Sequence, residues 1–444
     1  MAMLLPMECP MCEKRPFVLT LVILLAALST AFGGEPEEGG ARASPEAAPA
    51  PHAAEYRTPL AGEAYRTMLF GNPVDVPPCD RENVRAVALG ATFYKPEVGD
   101  DWFVPIGGVY LKGRPDPYRY RAILSLFVNE VDVSRSFGNW ELLGRWENET
   151  VPAPSVEVAD GEAVRQSSIL WGTFAGSAGV GLRVPVAPWQ SDNDLRLQLF
   201  YQAGYLYSRP TDDTGSTVRL PPDTFVHGFK LRGRYDGMRR NIMELLHNGV
   251  AAGFDIDLMR RNEWGDANYG GNLFRGEETR DYMKASAYLT AAGKVPWLTE
   301  RDRFIVSLHG GYSPGSTLDR FSAFRIGGGV FPNESDDIRR PYFPGALFNH
   351  FPISNYIMTN FEYRRELLFF LYLHMRGTLI LGKRPDFNSD GFKFLKSGGE
   401  AASVGLTCGL PMKSQLYLEY AYDEEVLRDD RQGSSLLLLW SKAF

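Results

Sequence analysis

From Val84 to the last residue, Phe444, the chain is a succession of short segments in which apolar and polar residues alternate. A period of two belongs to strands with two unlike faces, and it limits the fold to sheets. Such segments fall at 84–94, 102–112, 118–133, 136–147, 166–185, 194–208, 224–236, 247–260, 281–294, 302–313, 320–329, 354–366, 367–381, 399–410, 414–424 and 434–444, sixteen in all. In one, Leu195, Leu197, Leu199, Tyr201, Ala203, Tyr205 and Tyr207 share a face opposite Arg196, Gln198 and Gln202. In another, Leu416, Leu418, Tyr420 and Tyr422 oppose Tyr417, Glu419 and Ala421. After residue 31 no apolar run has the length of a membrane-crossing helix, which excludes a helical membrane protein.

Alternation serves a water-soluble sandwich as well as a barrel in lipid, so the decision rests on other features. Tyr and Phe recur at segment ends, where a membrane barrel carries aromatic girdles. Glycine is frequent on the polar faces, as a crowded lumen requires. The chain closes on Ser434–Phe444 (SSLLLLWSKAF), with Leu436, Leu438, Trp440 and Phe444 on one face and Lys442 interrupting it. An apolar terminal strand ending in an aromatic suits barrel closure at a membrane interface; soluble termini are usually polar and frayed. The expectation is an all-β protein, a 16-stranded antiparallel transmembrane β-barrel of the outer membrane, over residues 81–444.

Residues 1–31 have the form of a cleaved secretory signal peptide. Lys14 and Arg15 precede an apolar core from Phe17 to Leu28, and Ser29-Thr30-Ala31 is a small-residue cleavage site. The C-x-x-C of Cys9 and Cys12 lies ahead of that core and is removed with it, leaving Cys79 and Cys408, too few for a disulfide framework. Residues 32–80 are rich in Ala and Pro and are expected to form a disordered periplasmic linker, with a brief helix over 61–70 (AGEAYRTMLF).

A formal net charge of −7 provides no basic footprint for nucleic acid. Charges are nonetheless patterned. Lys230, Arg232 and Arg234 alternate along one segment and Asp255 and Asp257 along the next, so that neighbouring strands bring a basic stripe beside an acidic one inside the lumen. Either internal salt bridges or an ion-selective constriction accounts for them.

One stretch carries a family likeness. Phe321-Ser-Ala-Phe324-Arg325-Ile326-Gly327-Gly328-Gly329 leads into a long segment with Ile338-Arg339-Arg340-Pro341-Tyr342, followed by Asn360-Phe361-Glu362-Tyr363-Arg364 and Met375-Arg376-Gly377-Thr378. This order resembles the bacterial surface antigen superfamily, the sixteen-stranded barrels of outer-membrane assembly factors and two-partner-secretion transporters. The resemblance implies that the sixth external loop folds back into the lumen. There Arg340, or Arg339 in the alternative register, and Tyr342 would stand for the tip's Arg and aromatic, with Glu362 as the pairing carboxylate on strand twelve. Pro341 replaces the tip glycine, and His374 or Met375 stands where the second carboxylate would be. POTRA domains, which receive client chains in that family, have no counterpart before Val84.

Little here suggests catalysis. Gly176-Ser-Ala-Gly179-Val-Gly181 lies in a strand, without the strand–loop–helix context of a nucleotide site. The six histidines are scattered, and none makes a metal-ligand spacing. Neither cofactor nor metal is expected, and no enzyme. The functional expectation is a pore or scaffold for protein translocation or membrane-protein assembly. Its expected partners are outer-membrane lipid, the barrel-assembly machinery during biogenesis, and a periplasmic client or trans-acting partner. The alternatives are a passive porin-like channel and, using Ser307 and His309, an outer-membrane hydrolase.

Overall fold

A computed structural model describes residues 56–444 apart from 97–101, 160–161, 189, 191, 270–271, 317, 330–333, 335–337, 347–350, 389–390 and 425–431. The expected signal peptide and residues 32–55 of the expected linker lie outside the described residues. The described chain forms a closed antiparallel barrel of sixteen strands. In chain order they are β1 (Val84–Pro96), β2 (Trp102–Gly113), β3 (Tyr118–Ser125), β4 (Val128–Phe137), β5 (Trp140–Ala159), β6 (Glu162–Pro185), β7 (Asp194–Pro210) and β8 (Thr224–Asp236). The other half comprises β9 (Leu246–Arg261), β10 (Asp281–Lys294), β11 (Asp302–Tyr312), β12 (Asn355–Leu368), β13 (Leu371–Asn388), β14 (Gly391–Leu410), β15 (Ser414–Glu424) and β16 (Gly433–Ala443). Each strand pairs with its neighbour in sequence, and β16 returns to β1 from Gly433↔Pro96 to Ala443↔Ala86. Closure satisfies every ladder and leaves no open edge, the condition for strands to cross lipid. Among the described residues no helix is long and apolar enough to cross a membrane.

The count of sixteen agrees with the sequence reading, but two of its segments were misassigned. Residues 118–133 are not one strand. Ser125 N donates to Asn129 Oδ1 (2.9 Å) and Ser125 Oγ to Val128 O (2.7 Å), which turns the chain and separates β3 from β4. Residues 320–329 are not a barrel strand; only Phe324–Ile326 is extended, and it pairs with Phe351–Ile353 inside the β11–β12 loop. The expected helix over 61–70 is instead a hairpin, Tyr65–Leu69 against Asn72–Val76. Alternating burial along Tyr65–Leu69 explains the preference for a strand. Residues 57–80 are likewise not a disordered linker: Thr58, Leu60 and Ala61 are buried at the barrel end.

The two faces of the wall separate as the alternation requires. Leu195, Leu197, Leu199, Tyr201 and Tyr205 of β7, Val404 and Leu406 of β14, and Leu436 and Leu438 of β16 are exposed on the outside. Inside, Gln198, Thr407, Glu419 and Ser435 are buried. Turns at the end that holds Val84 and Ala443 are short, whereas the opposite end carries the longer loops, of which 313–354 is the longest. This asymmetry is typical of outer-membrane barrels. The 313–354 loop contributes Leu318, Phe324, Ile326, Phe343 and Ile353 to a buried apolar cluster with Met358 of β12, Ile380 of β13 and Ala401 of β14. The loop therefore packs against the inner wall.

Candidate functional site: a loop clamped across the lumen

The loop is fixed first near its outer end. Asp319 accepts both arms of the Arg261 guanidinium (2.6 and 2.9 Å), and its Oδ1 also accepts from the Phe321 and Ser322 amides and the Ser322 hydroxyl. The Arg261 guanidinium lies 4.1 Å from the ring centre of Trp264. Phe321 meets Trp171 and Trp264 edge-on at 5.4 and 5.7 Å. A fork bonded to a carboxylate and stacked on an indole fixes direction as well as charge.

Further in, the loop doubles on itself. Gly327 and Gly328 bridge to Tyr342, and Phe343 N donates to Gly327 O (2.8 Å). Gly329 has φ +74°, and a Cβ there would lie 2.9 Å from the Tyr342 ring. A side chain at this position would be strained in its backbone and crowded by the tyrosine.

From this doubled core the tip reaches two walls. Arg339 and Arg340 extend to Glu130 of β4 (3.3 and 2.9 Å). The loop returns a carboxylate, Glu334, which accepts from Arg121 of β3 and lies 3.9 Å from Arg340. The clamp is thus reciprocal: loop arginines on a wall glutamate, a loop glutamate on a wall arginine. Arg121 also meets Asp132 (2.7 Å), and Arg145 of β5 meets Glu130, Asp132 and Glu147 (3.2, 2.7 and 2.7 Å). Lys230 of β8 continues the array to Glu147 (3.2 Å). On the other wall, the Tyr342 hydroxyl donates to Glu419 of β15, and the Arg376 guanidinium of β13 lies 5.1 Å from the Tyr342 ring centre. Arg376 in turn bonds Glu419 (2.8 Å) and Glu362 (2.9 Å).

The structure corrects the expected lock. Arg339, Arg340 and Tyr342 all lie inside the barrel, but Glu362 does not receive the arginines. It takes Arg364 (2.6 Å), Arg376 (2.9 Å) and His374 Nδ1 (2.8 Å), all on the wall. These three cationic or polar neighbours satisfy both its oxygens, so the loop arginines turn to Glu130 instead. His374 stands where a second carboxylate was sought, and it links Glu362 to Thr407 (2.7 Å). In the charge stripes, Arg232 and Arg234 bond Asp255 (3.2 and 2.6 Å). Lys230 lies in register with Asp257 but extends to Glu147. At the closing seam, Trp440 is half-buried on the outer face, Phe444 is exposed, and the Phe444 amide donates to Arg85 O (2.9 Å). Ser307 accepts from Thr290 (2.9 Å) and His309 stacks on Tyr288, so neither takes the other as its described partner.

Sequence reasoning gave no role to Arg121, Glu130, Glu334, Arg376 or Glu419. For the wall pair a signal existed. Once Ser125–Asn129 is read as a turn, Arg121 and Asp132 become direct cross-strand partners and Glu130 shares the face of Asp132. Glu334 had no periodicity to mark it.

Between them, the loop and its clamps divide the lumen. A cavity of about 310 Å³ on the long-loop side is lined by Glu147, Lys230, Asp255, Asp257, Lys284 and Arg325. Another of about 330 Å³ on the short-turn side is lined by Leu246, Ile305, Leu437, Leu439, Arg364 and Tyr417. Arg340 and His309 line both, so the loop tip stands at the partition.

A closed barrel with an apolar exterior, a charged interior and a loop folded into its bore is a plugged barrel of the outer-membrane type. No protein-family model matches the sequence, and no curated protein matches it. Solved structures do match. BamA from Haemophilus ducreyi lacking POTRA domains 1–3 is 10% identical, covering 86% of this chain and 75% of that one with a TM-score of 0.45. CdiB from Escherichia coli is 13% identical (86% and 67%, TM-score 0.47). OpdK from Pseudomonas aeruginosa is 9% identical (82% and 99%, TM-score 0.31).

Proposed function

We propose that this chain is a gated barrel of the bacterial outer membrane, exported to it, in which loop 313–354 is the gate and a polypeptide in translocation or assembly is the cargo. In this reading the short-turn end faces the periplasm. The observation that carries the reading is the clamp: buried ion pairs hold the loop tip to Glu130 on one wall while Tyr342 is held to Glu419 on another. In a passive channel such a loop would only narrow the bore. A gate has a use for it, because such pairs give one defined closed state and separate as a unit. The reading assigns no catalytic step to the chain.

Planar-bilayer recording tests it. Wild-type protein is expected to be closed, with rare openings, and a variant with Arg339, Arg340 and Tyr342 all replaced by Ala to be open most of the time. Steady conductance in the wild type would favour the passive channel and defeat the gate. Translocation itself is tested by import of an unfolded, fluorescently labelled chain into proteoliposomes, which should require the open variant or an added partner.

A further inference from the structure

The short-turn end of the barrel is crossed by a second element that the gate does not explain. Residues 57–81 cross that end as a strap. Thr58 Oγ1 donates to Glu366 Oε2 of β12 (2.7 Å), Tyr65 packs on Phe369 (ring centres 5.3 Å apart), and Arg81 bonds Glu244 (2.7 Å) and Asp192 (3.1 Å). Between these points the chain adds itself to an edge. Leu60 lies opposite Asn241 in an antiparallel bridge, with Ala61 N donating to Arg240 O (2.9 Å) and Ile242 N to Pro59 O (3.0 Å). Thr58, Leu60 and Ala61 are 3%, 6% and 7% exposed, so the seat encloses them.

This contact set is one that any extended chain makes. Main-chain bonds to a strand edge do not depend on sequence, and enclosed side-chain positions add selectivity. The receiving turn also lines the inner cavity through Arg240, Met243, Glu244 and Leu245, so a chain seated here lies at the rim of the bore. We propose that the edge at 239–242, with Glu366 beside it, is an acceptor for an extended polypeptide entering from this end, and that Pro59–Ala61 fills it in cis. The site favours an apolar residue where Leu60 sits and a hydroxyl two residues before it. The identity of the ligand as a polypeptide rests on the gate reading above; the existence of the seat does not.

The test uses the full chain in detergent and a fluorescent, end-blocked peptide with the sequence of residues 57–62 (Arg-Thr-Pro-Leu-Ala-Gly). Leu60→Asp puts a carboxylate into the enclosed position and should free the strap, read as faster trypsin cleavage at Arg81. The freed protein should bind the peptide at least tenfold more tightly than wild type, whose seat is filled. A peptide N-methylated at its alanine, which cannot donate to Arg240 O, should not bind. In a Cys79→Ser, Cys408→Ser background, Leu60→Cys with Asn241→Cys should cross-link on mild oxidation, since such non-hydrogen-bonded partners approach closely. Failure to cross-link overturns the seat, even if Leu60→Asp does not fold. Unchanged trypsin cleavage, equal peptide binding to both proteins, or equal binding of the N-methylated peptide overturns the acceptor. Peptide binding in a protein that moves no polypeptide would sink the gate reading alone.

Discussion

Replacing Glu130 by Gln should open the barrel. The carboxylate is the shared anion for Arg121, Arg145, Arg339 and Arg340, at 3.2, 3.2, 3.3 and 2.9 Å. Its side chain is 7% exposed and that of Arg340 is 9%, so water does little to screen the pair. Arg121 and Arg145 lose the charge whether the loop is in or out, so their share cancels from the gating equilibrium. The share that remains belongs to the two loop arginines. Breaking a buried pair costs about 3–5 kcal/mol. Glutamine keeps the volume and one acceptor, which places the effect near the lower limit. At about 1.4 kcal/mol per factor of ten, the open state gains on the order of 100-fold. The Asp319–Arg261 and Tyr342–Glu419 contacts persist, so the loop should loosen at its tip while staying tethered at its outer end. Single-channel recording of Glu130→Gln and wild type, each checked for heat-modifiable gel mobility, measures the ratio of open times. A ratio below about threefold, with folding intact, would refute the argument that this carboxylate holds the gate.

Other substitutions test separate parts. Tyr342→Phe removes the hydroxyl that meets Glu419; a hydrogen bond to a charged group contributes about 1.5–3 kcal/mol, so openings should lengthen by roughly ten- to a hundredfold in the same recording. Glu362→Ala strands Arg364, Arg376 and His374 on the wall, and should lower the temperature at which gel mobility changes while leaving the Arg340–Glu130 contact in place; a release of the loop as large as that of Glu130→Gln would contradict the assigned pairing. Gly329→Ala forces a side chain onto a backbone at φ +74° and against Tyr342, at a cost of about 1–3 kcal/mol, and should raise open probability without changing conductance. Leu197→Arg puts a charge on the outer face of β7 and should cost about 2–4 kcal/mol in folding into lipid vesicles if it lies near the bilayer midplane, against little change in detergent.

Much of the fold was legible because strand periodicity is local. Each alternating run fixes which side chains face lipid, and the run ending in Leu436, Leu438, Trp440 and Phe444 announced closure; sixteen strands resulted even though one segment was split and another dissolved into the loop. The strap was misread because its Ala/Pro-rich approach masks a few enclosed residues, and Tyr65–Leu69 is too short for its alternation to stand out. The loop core was misread because Phe324–Ile326 looks like any strand until its partner is known.

What the sequence determined by itself, then, was a barrel, its faces, and a loop able to carry Arg339, Arg340 and Tyr342 inward. What only the tertiary structure decided was where those groups land. Glu130 and Glu362 are both acids on the inner wall, the first buried and the second partly so, and both stand in alternating strands. Glu362 has Arg364, Arg376 and His374 in reach, whereas Glu130 stands where the loop's arginines arrive. Pairing across a lumen depends on strand register and on where a long loop turns. The loop's landing place is set by contacts between residues some two hundred positions apart, such as Arg339 and Glu130.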